Sequence, residues 1–264
     1  MEPDGKVVVI TGSAGGIGGE IARQMAARGS RIVVTDINAD GAAEQADAIV
    51  AAGGEAIAIA CDVSRQDQVE QLVAGAIGRY DRIDILINNA VNHPCAAGNI
   101  DGIDLAAFNG SWDVNVVGSL RVIDAVLPHM RVQREGYIIN TASSLAIRPN
   151  AVIKHLMPYV TSKGAVLSLS QALAFALEDS NVRVSCWCPG LTNTRPGQEM
   201  RVNANGWMDG VREDLTIPRP MAEAVALLLE GIAREDFLIS SEEDWRGAIQ
   251  RLAAHELDPR RDYQ

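Results

Sequence analysis

Tyr159 and Lys163 stand at i and i+4 in Tyr159-Val160-Thr161-Ser162-Lys163. On a helix this spacing puts a phenol and an ammonium on one face. A free tyrosine has a pKa of about 10 and is a poor base at neutral pH. A neighbouring ammonium favours the phenolate. Bringing the pKa to near 7 takes about 4 kcal/mol. The pair could then move a proton, although the same spacing is also common on plain helix surfaces.

A second group is Thr11-Gly12-Ser13-Ala14-Gly15-Gly16-Ile17-Gly18. Gly12 permits a tight turn, Gly16 lets backbone approach a phosphate, and Gly18 permits close helix packing. A helix starting there offers free N–H groups and a positive dipole end to a pyrophosphate. Asp36 follows Gly18 by 18 residues. An acid at that point accepts hydrogen bonds from an adenosine ribose diol. It repels a 2′-phosphate, and Ser13, Ala14, Gly15 and Ile37 supply no cation, so the pattern predicts NAD(H) over NADP(H). Asp62-Val63 is placed to face the adenine. Asp36 and Asp62 could also be ordinary caps of turns or helices.

These residues need elements to hold them. Lys6–Ile10, Arg31–Asp36, Ala56–Asp62, Ile83–Asn88, Gly136–Thr141, Val182–Trp187 and Phe237–Ile239 read as strands, rich in Val and Ile and without polar alternation. Between them lie helical stretches: Ile17–Arg28, Ala42–Ala52, Gln66–Arg79, Leu105–Met130, Tyr159–Ser180 and Met221–Ala233. A last helix runs from Glu242 to His255, and the charged tail from Asp258 reads as frayed. The alternation predicts an α/β fold: a single doubly wound parallel sheet with helices on both faces, one domain over 1–264. Residues 191–220, with Met200, Trp207 and Met208, form a long connection that reads as a substrate loop. A lid and an interface are both open for it.

Composition excludes other classes. The 264 residues carry a net charge of −11, which disfavours nucleic acid and anionic membranes. No apolar run reaches the roughly 18 residues of a membrane span. The acidic start resembles neither a signal nor a transit peptide. Cys61, Cys95, Cys186 and Cys188 contain no CxxC pair, which predicts a reduced, cytoplasmic setting. Cys186 and Cys188 flank Trp187 on one strand and read as small core residues. His93, His129, His155 and His255 are scattered, so no metal site is expected. His155 reads as a surface residue, with substrate contact as the alternative.

Together, Thr11–Gly18, Asn88-Asn89-Ala90, Asn115, Ser143, Tyr159/Lys163 and Pro189-Gly190 resemble the short-chain dehydrogenase/reductase family, in its order, over about residues 5–195. The resemblance implies an alcohol–ketone oxidoreductase acting on a small molecule. Tyr159 is then the general acid/base, and Lys163 binds the nicotinamide ribose and lowers the tyrosine pKa. Ser143 bonds the substrate oxygen, and Asn115 holds a water in a relay to Lys163. Gly12, Ser13, Gly16, Ile17, Gly18, Asp36, Ile37, Asp62 and Val63 then bind the cofactor, and Asn89 and Ala90 line the adenosine ribose side. Pro189, Gly190, Thr192 and Thr194 anchor the nicotinamide carboxamide and the pyrophosphate. A homodimer or homotetramer is implied.

Three features depart from the family pattern. Asn88-Asn89-Ala90 ends in Val91 rather than glycine. Ser143 and Tyr159 are 16 residues apart, with an insert within Arg148–Met157 at the substrate rim. Ser144 could replace Ser143, but the Asn140-to-Ser143 spacing favours Ser143. The glycine-rich C-terminus common in the family is missing. An NADP(H)-dependent carbonyl reductase and a non-catalytic NAD-sensing protein are the alternative readings.

Overall fold

The computed structural model describes residues 1–93, 102–194 and 217–263. Seven strands form one parallel sheet: β1 (Val7–Thr11), β2 (Arg31–Asp36), β3 (Glu55–Ala60), β4 (Ile85–Asn88), β5 (Gly136–Thr141), β6 (Val182–Cys188) and β7 (Leu238–Ser240). Their order is β3-β2-β1-β4-β5-β6-β7. The chain winds outward from β1 in one direction, then restarts at β4 beside β1 and winds the other way. The C-terminal ends of β1 and β4 therefore flank the crevice where such sheets bind ligands.

Parallel strands buried on both faces explain the Val/Ile runs. Val8 and Ile10 pack on one side against Ile21 and Met25 of α1 (Gly16–Ala26), with α2 (Ala39–Ala51) beside it. The same layer holds Val225, Leu228 and Ile232 of the helix Met221–Arg234, α8 below. Val7 and Val9 point the other way, toward α3 (Gln66–Tyr80) and α5 (Ser119–Gln133). Leu173 of α7 (Met157–Ala176) packs on that second layer as well. Each fully buried Ile or Val contributes about 1.5–3 kcal/mol, so the sheet is a rigid platform.

The stretch Leu105–Met130 is not one uniform helix. It comprises α4 (Leu105–Trp112), a π-helical turn over Asp113–Gly118, and α5. Asp104 caps α4 by accepting from the N–H groups of Ala106 and Ala107. A four-residue helix, α6 (Ser144–Ile147), and a 3₁₀ turn (Ala151–His155) fill the insert before α7. The last helix, α9, is Trp245–Ala254, shorter than Glu242–His255. The tail forms a 3₁₀ turn at Pro259–Tyr263 rather than a frayed end. Among the described residues no helix is long and apolar enough to cross a membrane.

Candidate active site

The turn after β1 shows why its glycines are needed. Gly12 has φ +66°, and a Cβ there would lie 2.7 Å from Ala90 Cα. At Gly18 a Cβ would collide with the Gly12 carbonyl oxygen and come within 2.5 Å of Asn89 Nδ2. Asn89 itself staples the turn: its amide donates to the carbonyls of Thr11 (3.1 Å) and Gly12 (2.9 Å). Thr11 Oγ1 in turn accepts the N–H groups of Asn89 and Ala90. Around Gly15 and Gly16, by contrast, nothing lies where a Cβ would go. That open edge sits at the N-terminus of α1, and a pyrophosphate fits there.

The turn borders a cavity of about 620 Å³. Gly12, Gly16, Ile17 and Gly18 line it, as do Asp36, Ile37, Asp62, Val63, Asn89 and Ala90. Pro189, Gly190, Thr192 and Thr194 line it from the segment after β6. Ser143, Tyr159 and Lys163 line it from β5 and α7. Asp36 accepts from the N–H of Ala14 (3.1 Å) and of Asn38 (3.0 Å), so its carboxylate is held in place. Each oxygen keeps a lone pair for another donor. Asp62 Oδ1 accepts from the N–H (2.9 Å) and hydroxyl (2.7 Å) of Ser64. It therefore ties the turn before α3 while also facing the cavity.

Two expected site residues lie elsewhere. Ser13 is fully buried and does not line the cavity; its hydroxyl donates to the Ile10 carbonyl (2.7 Å) and accepts the Thr35 N–H (3.0 Å). It braces β1 against β2. Asn115 is also buried, in the π-helical turn. Its amide donates to Ser162 Oγ (2.8 Å) and the Asn92 carbonyl (3.1 Å), and its oxygen accepts the Asn92 N–H (2.7 Å). Ser162 in turn donates to the Tyr159 carbonyl (2.7 Å). Asn115 thus positions the start of α7.

Pro158 in the first turn suits the start of α7 and sets the exit of Tyr159. Lys163 Nζ donates to the Thr141 carbonyl at 2.6 Å and lies 5.8 Å from the centre of the Tyr159 ring. Burial pushes the Lys163 pKa down to about 8. Burial also raises the Tyr159 pKa, and the hydrogen bond from Ser143 offsets part of that rise. Burial therefore favours the neutral phenol of Tyr159 over its phenolate. Ser143 also caps α6, accepting the Leu145 N–H at 3.2 Å, while the Ser144 N–H is taken by the Pro189 carbonyl (2.9 Å).

Several neighbours had no distinct signal in the sequence. The His93 ring lies on Tyr159, with centroids 4.3 Å apart. Thr141 contributes only a carbonyl, which every residue has. Arg148 and Glu242 line the cavity from distant parts of the chain. Val91 borders the cavity as well and is 47% exposed. His155 is half-buried and does not line the cavity; burial and the Lys154 ammonium lower its pKa. Cys186 and Cys188 are buried in the core, as their strand spacing predicts. Cys95, Met200, Trp207 and Met208 fall outside the described residues.

A doubly wound parallel sheet, a glycine turn at the crevice and a Tyr–Lys pair in the same cavity define a dinucleotide-binding fold with a proton-handling group. Known proteins narrow this. The model of the short chain dehydrogenase family matches residues 6–205. An Escherichia coli 7alpha-hydroxysteroid dehydrogenase is 35% identical over 189 residues, covering 71% of each chain. A rabbit (Oryctolagus cuniculus) L-fucose dehydrogenase is 32% identical over 211 residues, covering 79% of this chain and 70% of that one. The crystal structure of a short chain dehydrogenase/reductase from Burkholderia phymatum in complex with NAD superposes with a TM-score of 0.84 at 26% identity, covering 98% of both chains. The chain belongs to the short-chain dehydrogenase/reductase family, and it is an oxidoreductase by that membership.

Proposed function

We propose that this protein interconverts a secondary alcohol and its ketone with NAD(H), using Tyr159 as general acid/base. The observation that carries the reading is that Tyr159, Ser143 and Lys163 share one cavity with the glycine turn and Asp36. A nicotinamide dinucleotide, when bound, supplies a two-electron hydride carrier. Gly16 and the α1 N-terminus would hold its pyrophosphate, and Asp36 its adenosine ribose. Asp62 and Val63 would face the adenine, and Lys163 the nicotinamide ribose. Pro189, Gly190, Thr192 and Thr194 would hold the nicotinamide end.

Ser143 keeps the substrate oxygen beside the phenol. In the oxidative direction the Tyr159 phenolate takes the hydroxyl proton while the carbon-bound hydrogen departs with its electron pair. Reduction is the reverse, with the phenol donating. Asn115 contributes by fixing Asn92 and Ser162. One domain over 1–264 does all of this. Cys61, Cys186 and Cys188 are free thiols, which supports the cytoplasm. A homodimer or homotetramer is part of this reading, and light scattering would check it.

The test is a panel of secondary alcohols and ketones followed by NADH absorbance. Turnover with NAD(H), and far less with NADP(H), is expected. A protein that binds NADH tightly yet turns over no member is a sensor instead.

A further inference from the structure

Arg148 follows α6, the short helix capped by Ser143. Its backbone N–H donates to the Ser144 carbonyl (2.7 Å). Its side chain is only 8% exposed, and it lines the same cavity as Ser143 and Tyr159. A buried guanidinium is costly to desolvate unless its donors are met. Here Nη1 meets Glu242 at 3.5 Å, too long for a strong hydrogen bond, and the buried Nε has no hydrogen-bond partner. Among the described residues Glu242 is its ion-pair partner, and the Asp244 carboxylate also acts on it electrostatically.

Glu242 arrives from the segment after β7, with its carboxylate packed on Gly190. The other charged groups nearby are already engaged. Lys163 is bonded to the Thr141 carbonyl, and Asp244 pairs with Arg251 at 2.9 Å. The Nε–Nη2 edge of an arginine is the planar fork that takes both oxygens of a carboxylate. Glu242 sits beside Nη1, and Nε is left without a hydrogen-bond partner.

We propose that Arg148 is an anion receptor for the substrate, and that the alcohol or ketone carries a carboxylate. The carboxylate pairs with the guanidinium from the cavity side while the reacting carbon lies at Ser143 and Tyr159. This rests on the oxidoreductase reading above. Glu242 moderates the affinity through its own negative charge.

The test uses the intact protein, with and without NADH. Hexanoate and benzoate are compared with hexanamide and benzamide by calorimetric titration. Wild type should bind each carboxylate at least about tenfold more tightly than its amide, as a charge-assisted contact requires. Arg148→Met should erase that difference. Arg148→Lys, which keeps the charge and loses the fork, should retain part of it and guards against a folding defect in the first variant. Glu242→Gln should strengthen carboxylate binding. Equal binding of acid and amide by wild type overturns the proposal. So does a Glu242→Gln protein that loses carboxylate binding as fully as Arg148→Met, because the pair is then only a brace. Carboxylate binding without NADH binding would keep the Arg148 site and sink the oxidoreductase reading.

Discussion

Replacing Asp36 is the most informative perturbation of the cofactor side. Its carboxylate accepts only two backbone N–H groups, from Ala14 and Asn38, and the next side chain is the exposed Ile37. Among the described residues no cation pairs with it. A 2′-phosphate about 5 Å away meets about 3 kcal/mol of repulsion per unit charge at an effective dielectric of about 20. Salt screening reduces this, which leaves NADH preferred over NADPH by about 100-fold. Removing the acid also deletes its charge-assisted bonds to the ribose, each about 1.5–3 kcal/mol. Asp36→Ala should thus weaken NADH by roughly 10- to 100-fold and strengthen NADPH, bringing the two near parity. Asp36→Asn keeps an oxygen for the Asn38 N–H and should also lose discrimination, which separates charge from local folding. Equilibrium binding by fluorescence energy transfer needs no substrate. Wild type binding both cofactors within threefold, or Asp36→Asn leaving the ratio unchanged, would refute the electrostatic reasoning.

Other expectations follow from the same geometry. The folded pKa of Lys163 lies near 8, below its ordinary value, so the unfolded chain binds more protons between about pH 8 and 10. Ligand-free wild type should gain stability relative to Lys163→Met as pH rises through that window; parallel melting profiles would count against a buried, destabilised ammonium. Ser13→Ala removes the hydroxyl's bonds to the Ile10 carbonyl and the Thr35 N–H and should cost about 1–3 kcal/mol. Its melting temperature should drop by several degrees while NADH affinity changes less than threefold. A large loss of NADH affinity at unchanged stability would return Ser13 to the cofactor site.

The cofactor side was the most legible in the sequence, and for physical reasons. Tight backbone approach demands glycine at 12 and 18, and the end of β2 brings Asp36 to the same cavity. The strands were legible because burial on both faces forces Val and Ile. The Leu105–Met130 stretch was less so. Its helical periodicity hides the π-helical turn, which the bonds of Asn115 to Asn92 and Ser162 accompany across distant elements. Ser13 counts with the cofactor residues by its place in the glycine turn, yet its hydroxyl bonds to β1 and β2 backbone. Arg148 and Glu242 lie 94 positions apart in the chain, so only the fold brings them together. The Tyr159–Lys163 pair was visible as a spacing. The opposing effect of burial on both groups was not, since it depends on what covers them.

Tyr159→Phe tests the central claim most directly. The change removes one hydroxyl and keeps the ring that packs against His93. General acid–base catalysis is worth about 100- to 10,000-fold. Turnover of the best alcohol in the panel should fall at least about 100-fold, with NADH binding within threefold of wild type. A Tyr159→Phe variant turning over at the wild-type rate would contradict the account.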